Sequence, residues 1–202
     1  MADLTRVLAA GSRTVAPAAL PARFAVAAAA AGLLDVGYAT YDAPFGSLVL
    51  GATTTGLVRV AFDPLDAVLL DLSARLSPRL LAAPARLDGV RRELDEYFAG
   101  TRSSFEVAID LTLARTPFQK SVLAAADAIP YGQVRSYSDV TRSTGRPAAV
   151  RAVGSALGAN PVCIVVPCHR VLRSDGTVSG YAGGPERKEF LLRLEAGSAA
   201  QK

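Results

Sequence analysis

The hydrophobic period of the chain changes part-way along, and that change limits the fold more than any other feature of its 202 residues. From Gly37 the apolar residues come in short β-branched or aromatic runs, Tyr38–Tyr41, Ser47–Ala52 and Gly56–Phe62. Pro44–Phe45–Gly46 and a Thr-rich turn divide them. Runs of that length between turn residues predict an antiparallel meander. Leu65–Leu76 predicts a helix, and Leu87–Phe98 carries apolar residues at 87, 90, 94, 97 and 98, the spacing of an amphipathic helix closed by Gly100. Ser104–Leu111 alternates like a half-buried strand. Beyond it the pattern turns helical. Thr116–Pro117 is an N-cap followed by proline at the first helical position. The helix it opens runs to about Ala128, where Ile129–Pro130–Tyr131–Gly132 breaks it.

A short helix from Ser136 to Ser143, the turn Thr144–Gly145–Arg146 and a helix of small residues over Pro147–Ala159 follow. Two short helices joined by a glycine-containing turn outline a helix-turn-helix. Val162–Pro167 predicts a buried strand with Cys168 at its end, and Arg187–Glu195 a closing helix. The fold class is therefore α+β. An Ala/Pro-rich extension (1–36) carries one helix, entered after Pro21 and stopped near Gly32. A small antiparallel-sheet and helix domain (37–112) follows, then a helical domain (113–202).

Charge and cysteine content bound the partners. Lys and Arg outnumber Asp and Glu by 22 to 18, a balance that permits nucleic acid without requiring it. The apolar run Phe24–Leu34 is too short to span a bilayer. The segment before it, with Asp3, three arginines and two prolines, is unlike a secretion signal. The two cysteines, Cys163 and Cys168, lie five residues apart. On a strand that odd spacing sends them to opposite faces and argues against a bridge. A reduced, cytoplasmic chain is the simplest expectation, with no membrane partner.

Cys168 sits beside the only histidine, His169, directly after Pro167. Thiol chemistry needs the thiolate, which a nearby imidazole can generate. Neighbours on an extended strand point apart, so contact would need a bridging water or a kink at Pro167. Taken alone, the pair fits an inert buried cysteine with a surface histidine equally well. Zinc uses three or four protein ligands, and only Cys163, Cys168 and His169 lie close together, so no metal is expected.

The surroundings are more specific. Ile129–Pro130–Tyr131–Gly132 with Ser136–Tyr137, Arg151–Ala152–Val153–Gly154, Asn160–Pro161, Pro167–Cys168–His169–Arg170–Val171, Gly180–Tyr181 and Gly183–Gly184 together resemble the O6-alkylguanine-DNA alkyltransferases over residues 38–196. The resemblance implies a ribonuclease H-like first domain and DNA repair by base flipping, with one irreversible, stoichiometric transfer of an alkyl group from O6-alkylguanine to the protein. It implies no cofactor. Cys168 is then the alkyl acceptor, His169 the base acting through a water and Glu195 the carboxylate that orients it. Tyr137 protonates the leaving guanine, and Asn160 braces the loop at the cysteine. Arg151 fills the hole left by the flipped nucleotide. Pro167, Val171, Ser179, Gly180, Tyr181, Gly183 and Lys188 line the substrate pocket.

The implied partner is double-stranded DNA, met through the minor groove by a monomer, with cooperative loading and O4-alkylthymine activity left open. Ala148, Ala149, Ala152 and Ser155 make that physically sensible, because small side chains let a helix approach a narrow groove and leave Arg151 as the single wedge. Some positions depart from the family pattern. Val150 stands where a smaller alanine is usual, and Cys163 where proline is frequent, here read as buried filler. The zinc-bearing cysteines of bifunctional sensors are absent, and Cys168 replaces the tryptophan of non-catalytic relatives. A damage sensor that binds without reacting and a turnover Cys hydrolase remain the competing readings; label per chain separates all three.

Overall fold

Gly46, at φ 117°, turns the chain between β1 (Val36–Ala43) and β2 (Gly46–Ala52), a backbone region that other residues rarely adopt. The computed structural model describes residues 19–178 and 180–199. β2 pairs antiparallel with β3 (Leu57–Ala61), so the expected meander is present, with Thr40 opposite Val49 and Leu50 opposite Val60. A short β4 (Leu80–Ala82) adds parallel to β1 and makes the sheet mixed, in the order β3-β2-β1-β4.

The sheet's side-chain alternation sorts its apolar residues to two faces. Val36, Val49 and Val58 meet Val68 and Leu72 of α2 (Leu65–Arg75). Leu48 and Leu50 face α3 (Asp88–Phe98) and belong to a core cluster that also includes Val122, Val153 and Leu191 from the second half. One continuous apolar core thus links both halves of the chain. At roughly 25 cal/mol per Å² of apolar surface removed from water, this shared burial is the main force holding them together.

The expected strand over Ser104–Leu111 does not form. Only Ile109 bridges to Leu57, with Leu57 N–H donating to Ala108 O at 2.8 Å and Asp110 N–H to Leu57 O at 2.9 Å. Side chains claim the neighbouring backbone groups. Glu106 N–H donates to the Glu93 carboxylate at 2.8 Å, and Asp110 accepts from Thr112 N–H at 2.9 Å to start a 3₁₀ turn at Leu111–Leu113.

The second half begins as predicted. Thr116 caps α4 (Pro117–Asp127) by accepting from Gln119 N–H at 3.0 Å. Ser136 and Asp139 form a reciprocal capping box on α5 (Tyr137–Ser143). The next helix, α6 (Val150–Gly158), starts later than expected, because residues 147–149 make a turn closed by Ala149 N–H to Arg146 O. α5 and α6 are the two helices of the helix-turn-helix, and α7 (Pro185–Ala199) closes the domain. β5 (Arg135–Ser136) and β6 (Val171–Leu172) form a two-residue parallel pair.

At the other end, α1 (Ala19–Ala30) begins before Pro21 and stops at Gly32. Ala25, Ala28 and Leu34 pack against Ala83. The expected loose arm over residues 1–18 lies outside the described residues. No helix among the described residues is long and apolar enough to cross a membrane.

Candidate active site

The site is built on a turn where the sequence predicts a strand. Residues 161–167 are apolar and largely β-branched, yet Val166 N–H donates back to Val162 O at 2.9 Å and Cys168 N–H to Val166 O at 2.8 Å. Asn160 decides this locally. Its Nδ2 donates to Val166 O at 2.9 Å and its Oδ1 accepts from Val162 N–H at 3.0 Å, so one carboxamide staples both ends of the turn. From outside, Val60 N–H on β3 donates to Pro161 O at 2.8 Å. Ile164 lies at φ 75°, the one non-glycine in the left-handed region among the described residues. A β-branched side chain there is strained, and the surrounding bonds hold it.

Two expectations change with the turn. Cys168 does not end a strand; it opens a 3₁₀ helix, Cys168–Arg170. Cys163 and Cys168 do not face opposite ways either. Their sulfurs are 3.9 Å apart, both buried, and both are free thiols. Contact with the Cys163 sulfur lowers the Cys168 pKa. Burial opposes this, while Asn160 and the Lys188 charge add to the lowering. The same contact, with burial, pushes Cys163 well up.

The 3₁₀ helix aims His169 and Arg170 at one carboxylate. His169 Nε2 lies 2.8 Å from Glu195 Oε1, Arg170 Nε donates to Oε2 at 2.9 Å and Arg170 Nη2 to Oε1 at 3.0 Å. Tyr97 Oη donates to Oε1 at 2.7 Å, and Gly132 N–H to Oε2 at 3.1 Å. Arg170 Nη1 also holds Ile129 O, fixing the turn that the Ile-Pro-Tyr-Gly segment makes. Glu195 is 1% exposed, so it is no surface carboxylate. Burial pushes its pKa up, but the hydrogen bonds from His169 and Arg170 outweigh it and hold the carboxyl at about 2.

Burial also lowers His169 against the pull of Glu195, which favours the neutral imidazole. An ionised Glu195 can only accept, so Nε2 carries the ring proton. Nδ1 is then a lone pair, buried and without a hydrogen-bond partner among the described residues.

Lys188, 1% exposed, donates from Nζ to Val171 O at 2.6 Å, and burial lowers its pKa to about 8. Pro167 and Val171 are buried beside the reactive turn. The Tyr181 ring stands edge-on to His169, with centroids 6.4 Å apart, and to Phe62 at 5.5 Å. Gly183 is needed there: a Cβ would meet the Phe62 ring at 2.9 Å. Gly180 is exposed, and Ser179 lies outside the described residues.

Tyr137 sits in the first turn of α5 against α6, where a Cβ on Gly154 would lie 3.9 Å from its ring. Arg151, Ala152 and Ser155 share the exposed face of α6 while Val153, Ala156 and Leu157 face the core. Ala148 and Val150 are exposed beside them, and Ala149 is half-buried. Sequence reasoning did not assign Tyr97 or Arg170 a place at Glu195. Tyr97 reads as part of the apolar stripe of α3, and nothing in that stripe marks the hydroxyl.

A buried thiol followed by an oriented imidazole, in a domain with a helix-turn-helix, combines the parts that cysteine-nucleophile chemistry on DNA requires. Residues 117–197 match the DNA binding domain of 6-O-methylguanine DNA methyltransferase, and residues 36–111 match its ribonuclease-like domain. The chain belongs to this family. A methylated-DNA–protein-cysteine methyltransferase of Mycobacterium tuberculosis is 40% identical over 162 residues, 80% of this chain and 93% of the relative. The Salmonella typhimurium protein of the same name is 50% identical over 107 residues, 53% of this chain; the chain spans 62% of that relative's length. A crystal structure of Mycobacterium tuberculosis OGT in complex with DNA superposes with a TM-score of 0.70 and 38% identity, covering 80% of this chain and 94% of that one.

Proposed function

We propose that the protein repairs alkylated DNA by moving an alkyl group from O6 of guanine to Cys168, once per chain. The orientation of His169 by Glu195 is the observation that carries this reading, since it leaves Nδ1 free to take a proton. The Cys168 proton passes through a water to Nδ1. The thiolate sulfur then attacks the alkyl carbon, a new C–S bond forms as the C–O6 bond breaks, and Tyr137 protonates the departing guanine. The thioether has no route back to a thiol, which makes the reaction stoichiometric.

Double-stranded DNA is the partner, met by a monomer. The small exposed face of α6 enters the minor groove, and Arg151 takes the place of the extruded nucleotide. Pro167, Val171, Ser179, Gly180, Tyr181, Gly183 and Lys188 surround the flipped base, and Asn160 keeps the turn in shape for it. The test is to incubate the protein with duplex DNA holding a single radiolabelled O6-methylguanine and to count label on protein. A plateau at one label per chain is expected. Lesion-selective binding with no label would leave a sensor, and label released with turnover would leave a hydrolase.

Arg151→Ala is expected to slow transfer from duplex DNA about tenfold, the equivalent of losing about 1.4 kcal/mol of help with flipping. Transfer from the free O6-methylguanine base, which needs no flipping, is expected to stay unchanged. Equal slowing on both substrates would remove Arg151 from the role of wedge.

A further inference from the structure

We propose that Cys163 is a resolving thiol that forms a reversible disulfide with Cys168 and so protects the acceptor from irreversible oxidation. Four observations lead here. The two sulfurs are 3.9 Å apart in a turn already closed by the Asn160 staple and the Val162–Val166 hydrogen bond. A disulfide requires about 2.05 Å, and one χ1 rotation carries a sulfur further than the difference. Apart from the contact with Cys168, the Cys163 thiol has one hydrogen-bond partner among the described residues, Asn160 O at 3.4 Å. Finally, a cavity of about 430 Å³, lined by Arg59, Arg115 and Asn160 among others, reaches Cys163, so the turn that holds both sulfurs borders open space.

The chemistry balances with hydrogen peroxide as oxidant. The Cys168 thiolate attacks one peroxide oxygen, the O–O bond breaks, hydroxide leaves and a sulfenic acid forms. The Cys163 sulfur then attacks the Cys168 sulfur, the S–O bond breaks, and the Cys163 proton leaves with the hydroxyl as water. In total two thiols are oxidised and one peroxide is reduced to two waters. The thiol inventory suits the order: Cys168 is the more acidic sulfur and Cys163 the protonated one. A single-use protein gains from this. A sulfinic acid at Cys168 would waste the chain, whereas a disulfide returns to thiol on reduction.

The inference relies on the proposed function only for its activity readout. Both cysteines fall in the tryptic peptide Ala152–Arg170, which allows a direct chemical readout as well. The full chain is treated with hydrogen peroxide, and that peptide is weighed without reduction. Alkyl transfer is measured before treatment, after treatment and after dithiothreitol. The wild-type peptide is expected to lose two hydrogens, with transfer falling to background and recovering with dithiothreitol. Cys163→Ala, normalised to its own untreated activity, is expected to add oxygen at Cys168 and to stay inactive.

Oxygen addition in the wild type without loss of two hydrogens overturns the proposal. So does a disulfide-linked dimer on a non-reducing gel, or recovery of Cys163→Ala equal to that of wild type. If the untreated protein transfers no alkyl group while the peptide still loses two hydrogens, the disulfide stands and the repair reading fails.

Discussion

Cys168→Ala is expected to take alkyl transfer from one group per chain to background, even though a second thiol lies 3.9 Å away. Proximity does not make Cys163 a substitute. Burial keeps its proton on, its sulfur points at Asn160 O, and it is 1% exposed. Attack on the alkyl carbon needs a thiolate, which the protonated Cys163 does not offer. The fold should survive the change. Removing one buried sulfur costs about 1 kcal/mol, well within the net stability of a domain. The measurement is label transfer from O6-methylguanine duplex, beside a thermal melt to show that the variant is folded. Label appearing on Cys163 would displace Cys168 as sole acceptor.

Glu195→Ala has the second large effect, on both stability and rate. It strips the acceptor from His169, Arg170, Tyr97 and Gly132 at once and leaves the Arg170 guanidinium, 6% exposed, without its counter-charge. Breaking a buried pair from one side costs about 3–5 kcal/mol. Loss of the group that orients the base lowers transfer by about 10²–10⁴-fold, the usual range for general-base catalysis. Urea melts and single-turnover rates check the two separately. A loss of stability with an unchanged rate per folded molecule would reduce Glu195 to a structural part.

The same carboxylate sets the acid response. Its folded pKa of about 2 lies below the ordinary value of 4.5, so the unfolded chain binds the proton more readily. The stability it contributes is present above about pH 4.5 and is lost as pH falls toward 2, roughly 3 kcal/mol in all. Burial depresses His169 too. It therefore opposes folding once pH drops below about 6.5, where the unfolded imidazole takes up a proton. Glu195→Gln is expected to flatten the lower arm of the stability profile, and an unchanged arm would place that sensitivity elsewhere.

These residues also show what a sequence can and cannot reveal. Thr116–Pro117 and Ser136–Asp139 act within one helical turn, so the starts of α4 and α5 are readable from a few letters. The motif around Cys168 places the thiol, the imidazole and, with the last helix, Glu195. The turn at 161–167 is different. A β-branched apolar run favours a strand, and the outcome rests on Asn160 outside that run and on Ile164 in a conformation its type disfavours. Misreading that turn puts Cys163 on the wrong face. Tyr97 escapes for another reason: its partner Glu195 lies 98 residues further on, and in a helix stripe a tyrosine ring looks like any other apolar body. At the missing strand over 104–111, Glu93 on α3 takes the Glu106 N–H, and Asp110 turns the chain just beyond by accepting from Thr112 N–H.

The bonds from Tyr97 to Glu195 and from Val60 to Pro161 join α7 and the reactive turn to the first half of the chain. Chains emerge from the ribosome N-terminus first and fold by parts. The thiol is therefore made before Glu195, which follows His169 by 26 residues. Until it docks, His169 lacks the carboxylate that orients its ring. A copy that lacks α7 therefore carries the thiol without the carboxylate that orients its neighbouring imidazole.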